Sequence, residues 1–356
     1  MDTSSGKGVH RGESQQLMIV FKAIEEAQPG PKWQALFRRY WPSYERWFLG
    51  EGERGRPTYL ACLRSLRNHM PELLPTYEKL VELAGGGDLV ARFLSMYCPP
   101  PYLTGCSQAV WTGDPPFLIR NYDYSPSRWE AVSLKTAWAD RRVIAMGDCL
   151  WGVLDGMNAD GLALSLSFGG RLAVGEGFGV PLVLRYILEF CSSTKEAVEV
   201  LQRVPVHMTY SITVLDRSQN FATVFVSPDR PAEALPLVAV TNHQQHVEWP
   251  EHARTTRSVE RQRFLSKALR ESSSDVKRLT QAFLRPPLYQ RAFAAGFGTL
   301  YTTVYHPATG QVEILWPNIR WEQSFTLSAE GELAVRLVGQ RAKRKGLSSL
   351  PHPPGM

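Results

Sequence analysis

The pattern of apolar and polar positions divides the chain near residue 100 into a helical part and a strand-rich part. Between residues 15 and 97, apolar side chains recur at the spacing of amphipathic helices. One predicted helical face carries Tyr59, Leu60, Leu63, Leu66 and Met70. Gly85-Gly86-Gly87 ends one predicted helix and Asp88 caps the next. We therefore predict a small helical region before residue 98.

Strands are predicted after residue 105, where short runs rich in β-branched and aromatic residues alternate with turn residues. These runs are 106–113, 116–124, 130–137, 142–157, 162–168, 209–215, 221–227, 236–241, 299–305, 311–316, 323–327 and 332–338. Two helices are predicted between 180 and 205, the second opened by a capping box at Ser193, and two more at 255–270 and 275–285. This order favours an α+β fold, an αββα sandwich of two antiparallel sheets between helical layers.

The junction between the two parts is stiffened by proline. Cys98-Pro99-Pro100-Pro101 ends the helical pattern and holds the backbone extended up to Gly105. This stretch suits an interdomain linker, and it also suits a device that presents the Gly105–Cys106 bond in an exposed, unpaired conformation. We predict a disordered tail at 1–14, a helical pro-segment at 15–105, the αββα domain at 106–340 and a basic, proline-rich tail at 341–356.

Composition is that of a globular protein, with 44% hydrophobic and 21% charged residues. The net charge of +6 comes from scattered basic residues and a cluster in the predicted tail, without a nucleic-acid recognition motif, so no nucleic-acid partner is expected. Residues 1–16 lack the apolar core of a signal peptide, and no run approaches the ~18 apolar residues of a membrane span. A cytoplasmic protein without membrane contact is expected.

Cys106 is the cysteine whose neighbours single it out. The five cysteines include no Cys-x-x-Cys pair, which argues against a disulfide framework or a metal site. Gly105 leaves its own carbonyl unobstructed, so the next thiol can attack it, move the acyl group from nitrogen to sulfur and leave a thioester that water opens. The product is a cysteine with a free α-amine, whose pKa near ~8 lets it accept the thiol proton.

Polar residues further along supply the other groups that such chemistry needs. Arg120 places a cation to favour the thiolate, and Asp123 a carboxylate to orient the new α-amine. Asn242 follows an apolar strand and offers an amide donor to a developing oxyanion. His243 would suit a Cys-His dyad, but nothing in the spacing of the eight histidines singles one out.

Together these residues resemble the Ntn (N-terminal nucleophile) hydrolases, in the branch that contains acyl-coenzyme A:6-aminopenicillanate acyltransferase and, more distantly, choloylglycine hydrolases and penicillin V acylases. The matching stretches are Gly105-Cys106, 119–123, 155–162, 179–185 and 241–243. The resemblance implies self-cleavage at Gly105–Cys106 into two fragments that stay associated, and attack by Cys106 on an acyl carbonyl. It also implies that Arg120 lies by the thiol, that Asp123 contacts the α-amine and that Asn242 lines the oxyanion hole.

Three further residues are candidates through the resemblance. Asn158 lies in a matched stretch, where a turn role before Gly161 accounts for it equally well. Ser167 stands near where choloylglycine hydrolases carry an asparagine, so the second oxyanion donor stays open. Arg261 corresponds to a downstream active-site arginine, or else to an exposed residue of a charged helix.

The expected substrate is a small-molecule acyl amide or thioester, acyl-coenzyme A among them, with no cofactor and no metal. Hydrolysis and acyl transfer both stay open, because they differ only in whether water or an amine opens the thioester. A homo-oligomer is also left open. Two alternatives compete: an uncut thiol hydrolase with Cys106 paired to a histidine, and a catalytically silent ligand-binding scaffold of the same fold.

Overall fold

The computed structural model describes residues 16–271, 276–327 and 330–339. The helices are α1 (Pro31–Phe48), α2 (Tyr59–His69), α3 (Leu74–Leu83), α4 (Asp88–Leu94), α5 (Val180–Phe190), α6 (Thr194–Arg203), α7 (Pro250–Thr255), α8 (Ser258–Glu271) and α9 (Val276–Phe283). Short 3-10 helices lie at Glu53–Gly55, Pro71–Leu73 and Phe293–Ala295. The tails predicted at 1–14 and 341–356 lie outside the described residues.

The strands are β1 (Gln16–Glu26), β2 (Gly105–Trp111), β3 (Phe117–Tyr124), β4 (Val132–Thr136), β5 (Val143–Asp148), β6 (Gly152–Asn158), β7 (Ala163–Phe168), β8 (Tyr210–Leu215), β9 (Phe221–Ser227), β10 (Arg230–Leu235), β11 (Ala239–Val240), β12 (Gly298–His306), β13 (Gln311–Trp316), β14 (Ile319–Ser324) and β15 (Gly331–Val338). Within the described ranges they form two sheets. The larger has the order β10-β9-β8-β7-β6-β5-β4-β1-β15 and the smaller β11-β2-β3-β12-β13-β14.

The two sheets pack face to face, with β2 and β3 of the smaller sheet against β7 and β8 of the larger. Helices α5 and α6 cover β6 and β9, while α8 and α9 cover β2 and β3. The apolar core between the sheets contains Cys106 and Tyr122, and a second core lies beneath α8 and α9 around Leu265 and Phe283. The αββα prediction is confirmed, with one departure from antiparallel pairing, since β1 runs parallel to β4.

Strand β1 corrects the helical prediction for residues 16–26. It lies between β4 and β15, and its burial alternates along the strand until Phe21 and Ala23 are buried. Burial that alternates at every second residue is typical of a strand, and so are the β-branched residues Ile19 and Val20. The helical spacing of the following 70 residues hides this short alternation in the sequence. The segment before residue 106 therefore contributes a strand to the larger sheet.

Two further predictions of strands were wrong, and one strand was not predicted. The run 142–157 is two strands, because the chain turns at Cys149 and Leu150, whose φ angles are 53° and 72°. The turn between Asp148 and Gly152 contains neither glycine nor proline, so the sequence gives no sign of it. Strand β10 was missed because its side chains are mostly exposed and charged or alanine. The strand expected at 323–327 lies earlier, at Ile319–Ser324.

Candidate active site

Cys106 is the second residue of β2 and lies fully buried between the sheets. Gly105 already belongs to the strand and pairs with Asp123 of β3, while Cys106 pairs with Tyr122. The expectation that the Gly105–Cys106 bond is exposed and unpaired is therefore wrong. The prolines before it lead the chain into the sheet, and the bond is held in a defined position.

Arg120 contacts the thiol directly, since its Nη2 donates to Cys106 Sγ over 3.2 Å. The β2–β3 register explains this contact: Arg120 pairs with Gln108, which makes it the diagonal neighbour of Cys106 on the same face. The guanidinium also lies over the Tyr122 ring, 4.9 Å from its centroid. The predicted nearness of Arg120 to the sulfur holds in the structure.

Asp155 of β6 anchors Arg120 from the opposite sheet. The two form a fully buried ion pair, and hydroxyls of β12 complete the shell of the carboxylate. Asp155 accepts from Tyr301 OH, Thr303 Oγ1 and Tyr305 OH, each over 2.7 Å. In the sequence, Asp155 stands out only as the first residue of the matched stretch 155–162. The hydroxyls at every second position of β12 were the signal that a polar group faces them.

The surroundings of Cys106 favour the protonated thiol. Burial raises the pKa of Cys106, and the Arg120 cation offsets this only in part. The negative charge of Asp123 raises the pKa of the thiol further. Attack by this sulfur therefore requires a group that accepts its proton.

Asn242 follows β11 in the chain, and its side chain lies beside the first residues of β2. Its Oδ1 accepts from the backbone nitrogen of Cys106 over 3.0 Å and from Arg261 Nη2 over 2.5 Å. Because both of these neighbours are donors, the oxygen must face them. The amide nitrogen consequently points away from them, where it donates to Thr104 O, just before Gly105, over 3.4 Å and to Phe168 O, at the end of β7, over 3.3 Å.

Arg261 is fully buried on the first turn of α8, so the alternative of an exposed helical arginine is excluded. Its Nη1 donates to Cys106 O and to Ser107 Oγ, each over 2.7 Å, and lies 3.3 Å from Asp123 Oδ2. With its bond to Asn242, this one guanidinium links the backbone of Cys106 to both predicted polar partners.

Asp123 is buried on the face of β3 opposite to that of Tyr122. Thr299 Oγ1 donates to its Oδ1 over 2.6 Å, and Arg261 approaches its Oδ2. Burial raises the pKa of Asp123, while Arg261 and Thr299 act in the other direction. Thr299 pairs with Asp123 in the β3–β12 ladder, a relationship that the sequence alone did not indicate.

His243 does not contact the thiol. Its Nδ1 lies 2.6 Å from Ser258 Oγ, which also accepts from the backbone nitrogen of Asn242 over 3.0 Å. Over the described part of the chain, the side chains hydrogen-bonded to Cys106 are Arg120, Asn242 and Arg261. The Cys-His alternative therefore finds no geometric support. Ser258 was not foreseen, because it joins Asn242 only through the fold.

The other two candidates are engaged elsewhere. Asn158 donates to Leu188 O and Cys191 O and accepts from Leu162 N, so it fixes the β6–β7 turn against the end of α5. Ser167 Oγ donates to Thr241 O over 2.9 Å, which holds the segment leading into Asn242. With its proton used in this way, Ser167 does not offer a free donor to the site.

A second buried polar cluster joins α1 to the larger sheet. The Tyr44 hydroxyl of α1 donates to Glu130 Oε1 over 2.5 Å, and the same oxygen accepts from Leu150 N over 2.6 Å. Burial raises the pKa of Glu130 to about 7 and that of Asp148 to about 6, with Asp148 also acting on Glu130. Nothing in the sequence pattern pointed to this cluster.

Comparison with known families gives one match over most of the strand-rich part. The family model described as acyl-coenzyme A:6-aminopenicillanic acid acyl-transferase matches residues 110–321. This range includes Arg120, Asp123, Asn242 and Arg261, and it begins just after Cys106. A comparison with curated protein sequences finds no match.

Among solved structures, a mutant conjugated bile acid hydrolase from Clostridium perfringens aligns at 12% identity and a TM-score of 0.45, covering 69% of this chain and 100% of that one. Penicillin V acylase from Agrobacterium tumefaciens aligns at 15% identity and 0.46, covering 62% and 86%. A Caenorhabditis elegans ortholog of N-acylethanolamine-hydrolyzing acid amidase aligns at 16% and 0.41, covering 61% and 98%. Similarities this low carry no inference about the chemistry of this chain.

Proposed function

Since the chain belongs to the acyl-coenzyme A:6-aminopenicillanic acid acyl-transferase family, we propose that it is a self-cleaving cysteine enzyme that hydrolyses or transfers acyl groups through Cys106. Its substrates would be small linear amides or thioesters. The site residues that support this proposal are buried and drawn from β2, β3, the segment after β11 and α8.

The first step of the proposal is cleavage of the chain by its own thiol. Sγ of Cys106 attacks the carbonyl carbon of Gly105 and loses its proton, and the bond from that carbon to the Cys106 nitrogen breaks. The nitrogen takes up the proton that leaves the thiol and becomes an α-amine, so the leaving nitrogen is the proton acceptor of this first step. Water then opens the Gly105 thioester, which releases a carboxylate on Gly105 and the free thiol.

The freed α-amine supplies the base that the buried thiol lacks in the uncut chain. With a pKa near ~8, a neutral α-amine accepts the thiol proton and later returns it to the leaving group. Asn242 Oδ1 already accepts from this nitrogen, and Arg261 donates to the Cys106 carbonyl, so both hold the new terminus in place. Arg120 stabilises the thiolate that forms.

The developing oxyanion needs donors aimed at the attacked carbonyl. The Asn242 amide nitrogen donates to Thr104 O, one residue before Gly105, over a long 3.4 Å, and in this proposal it exchanges that acceptor for the oxyanion that forms on Gly105 or on the substrate. The acyl-Cys106 thioester is then opened by water or by an amine. The observation that carries the proposal is the convergence of Arg120, Asn242 and Arg261 on a buried cysteine that directly follows glycine.

Acyl transfer through Cys106 is tested by trapping the thioester. The purified protein is mixed with acyl-coenzyme A thioesters, acyl-amino acids or β-lactam side-chain amides, quenched in acid and analysed by peptide mass spectrometry. We expect the acyl mass on the peptide that begins with Cys106. Cys98→Ala serves as the control, because Cys98 is a partly exposed thiol outside the site, and it should be labelled like the wild type. Turnover without any label on Cys106 would contradict the proposal.

A further inference from the structure

Gly105 lies in a narrow slot between Phe297 and Asp123. A β-carbon built on Gly105 would stand 2.5 Å from Phe297 Cζ and 3.1 Å from Asp123 Cβ. Atoms at such distances must move apart, so neither wall tolerates a substituent at this position without displacement. The slot closes on the carbon next to the carbonyl that Cys106 attacks in the proposed self-cleavage.

Both walls are held by the surrounding structure. Asp123 is fixed by its pairing with Gly105 and Thr299 and by the bonds of its carboxylate to Thr299 and Arg261. Phe297 lies between the left-handed Gly296, at φ 73°, and Gly298, and its backbone nitrogen donates to Ala292 O over 3.3 Å. Asp123 is the stiffer wall, whereas the Phe297 ring reaches Gly105 with its outer edge and can turn aside at a cost.

Self-cleavage and turnover place an acyl carbon on the same sulfur. In the first, the acyl group is the Gly105 end of the chain. In the second, it is the acyl group of the substrate, and the bond to Sγ of Cys106 is the same. The carbon next to the substrate carbonyl therefore takes the place of the Gly105 α-carbon, between the same two walls.

We propose that the slot formed by Phe297 and Asp123 selects acyl groups whose carbon next to the carbonyl is unbranched, with Phe297 as the specificity-determining residue. This inference rests on the proposed acyl-Cys106 chemistry. In a substrate, the alkyl chain takes the direction of the Gly105 nitrogen. A methyl group in the β-carbon direction then belongs to an (R)-2-methylalkanoyl group, which meets the Phe297 ring.

The substrate test compares hexanoyl and (R)-2-methylhexanoyl thioesters of coenzyme A on the self-cleaved protein. Their ratio of kcat/KM is divided by the ratio of their rates with a small free thiol, which removes the intrinsic effect of branching. We expect a corrected preference for hexanoyl of about tenfold or more in the wild type, because only a ring edge must move. Phe297→Ala and the more conservative Phe297→Leu should each bring the ratio close to one.

Phe325→Ala is the matched control, since Phe325 is a similarly half-buried phenylalanine that packs near Gly310. It should keep the wild-type ratio. A corrected ratio near one in the wild type would overturn the inference, as would an unchanged preference in both Phe297 variants.

A second test needs no substrate. Gly105→Ala puts a methyl group into the slot of the chain itself, so we expect its self-cleavage to be at least about tenfold slower than that of the wild type. Adding Phe297→Ala should restore most of the rate, whereas adding Phe325→Ala should not. The inference would be contradicted if Gly105→Ala cleaved itself at the wild-type rate, or if adding Phe297→Ala did not restore the rate.

The two tests separate this inference from the proposed function. If the wild type neither cleaves itself nor turns over the unbranched thioester, the proposed function fails and the inference with it. If the wild type does both but accepts the branched thioester equally well, only the inference fails. If the wild type cleaves itself without turning over thioesters, the self-cleavage rates of Gly105→Ala and of its double variant with Phe297→Ala decide whether the inference holds.

Discussion

The side-chain oxygen of Asn242 accepts a hydrogen bond from the backbone nitrogen of Cys106 over 3.0 Å, although 136 positions separate the two residues. The same oxygen accepts from Arg261, whose other nitrogen donates to the carbonyl of Cys106. Both backbone polar atoms of Cys106 are therefore held by side chains outside β2 and β3. In the proposed mechanism these two bonds would keep Cys106 in position once the bond before it is broken.

Replacement of Arg261 should slow self-cleavage strongly. Arg261→Lys keeps a positive charge near Asp123, but a single ammonium group cannot reach Cys106 O, Ser107 and Asn242 together as the guanidinium does. We expect self-cleavage, followed by mass spectrometry over time, to slow on the order of 100-fold. The free energy of unfolding of Arg261→Ala should be lower by ~3–5 kcal/mol, because this variant leaves the buried Asp123 without its ion-pair partner.

Arg263→Ala is the control for Arg261. Arg263 is exposed two positions further along α8, so its replacement removes a cation from the same helix without touching the site. It should cleave at the wild-type rate. Equal rates for Arg261→Lys and Arg263→Ala would show that the buried contacts of Arg261 do not matter for the reaction.

Ser258 should act as a positioning residue for Asn242. Its hydroxyl oxygen accepts from Asn242 N over 3.0 Å and lies 2.6 Å from His243 Nδ1, at the start of the helix that carries Arg261. Ser258→Ala removes this link, and we expect a loss of about tenfold in kcat with little change in KM, because orientation rather than binding is affected. Ser266→Ala, on the same helix, should leave both constants unchanged. A change in KM alone would argue against positioning.

The cluster of Glu130, Asp148 and Tyr44 should make the fold more stable at mildly acidic pH. The pKa of Glu130 rises from 4.5 to about 7 on folding, and that of Asp148 from 3.8 to about 6, so the folded state binds protons more tightly. The free energy of unfolding then falls as the pH rises through the interval between the unfolded and folded values.

Urea unfolding of the uncut Cys106→Ala chain tests this at roughly pH 5 and pH 8. We expect the urea midpoint to be lower at the higher pH, and Glu130→Gln to reduce the difference, because glutamine does not ionise. A Glu130→Gln chain with the same pH dependence as its parent would refute the assignment to Glu130.

After cleavage the two fragments should remain one particle. Strand β1 pairs with both β4 and β15, and Trp33 Nε1 of α1 donates to Leu150 O over 3.1 Å. Removing the first fragment would separate β4 from β15 and open the larger sheet. We expect both fragments to elute together in native gel filtration and to separate only in denaturant. Elution of the second fragment alone would contradict this arrangement.

Part of the site could be predicted from the spacing of residues along the chain. Cys106, Arg120 and Asp123 lie within one pair of neighbouring strands, so a hairpin register brings them together and the sequence is enough to foresee it. Asn242 stood out as an amide at the end of an apolar strand, but its partner could not be foreseen, and Arg261 could be proposed only through the family resemblance, because the elements that carry both residues fold back from more than 130 residues away.

Other parts lay beyond the sequence because they depend on contacts between sheets or between distant elements. Asp155 meets Tyr301 and Tyr305 only when β6 faces β12 across the core. Strand β1 is fixed by partners on either side, more than 100 residues further along the chain. The buried turn at Cys149 is set by its surroundings rather than by a turn-forming residue.

The most direct test of the account is the intact mass of the purified protein, compared with that of the Cys106→Ala variant. The account predicts that the wild type yields two fragments, one ending at Gly105 and one beginning at Cys106, and that Cys106→Ala stays whole. A wild-type protein that turns over acyl substrates as a single uncut chain would contradict it.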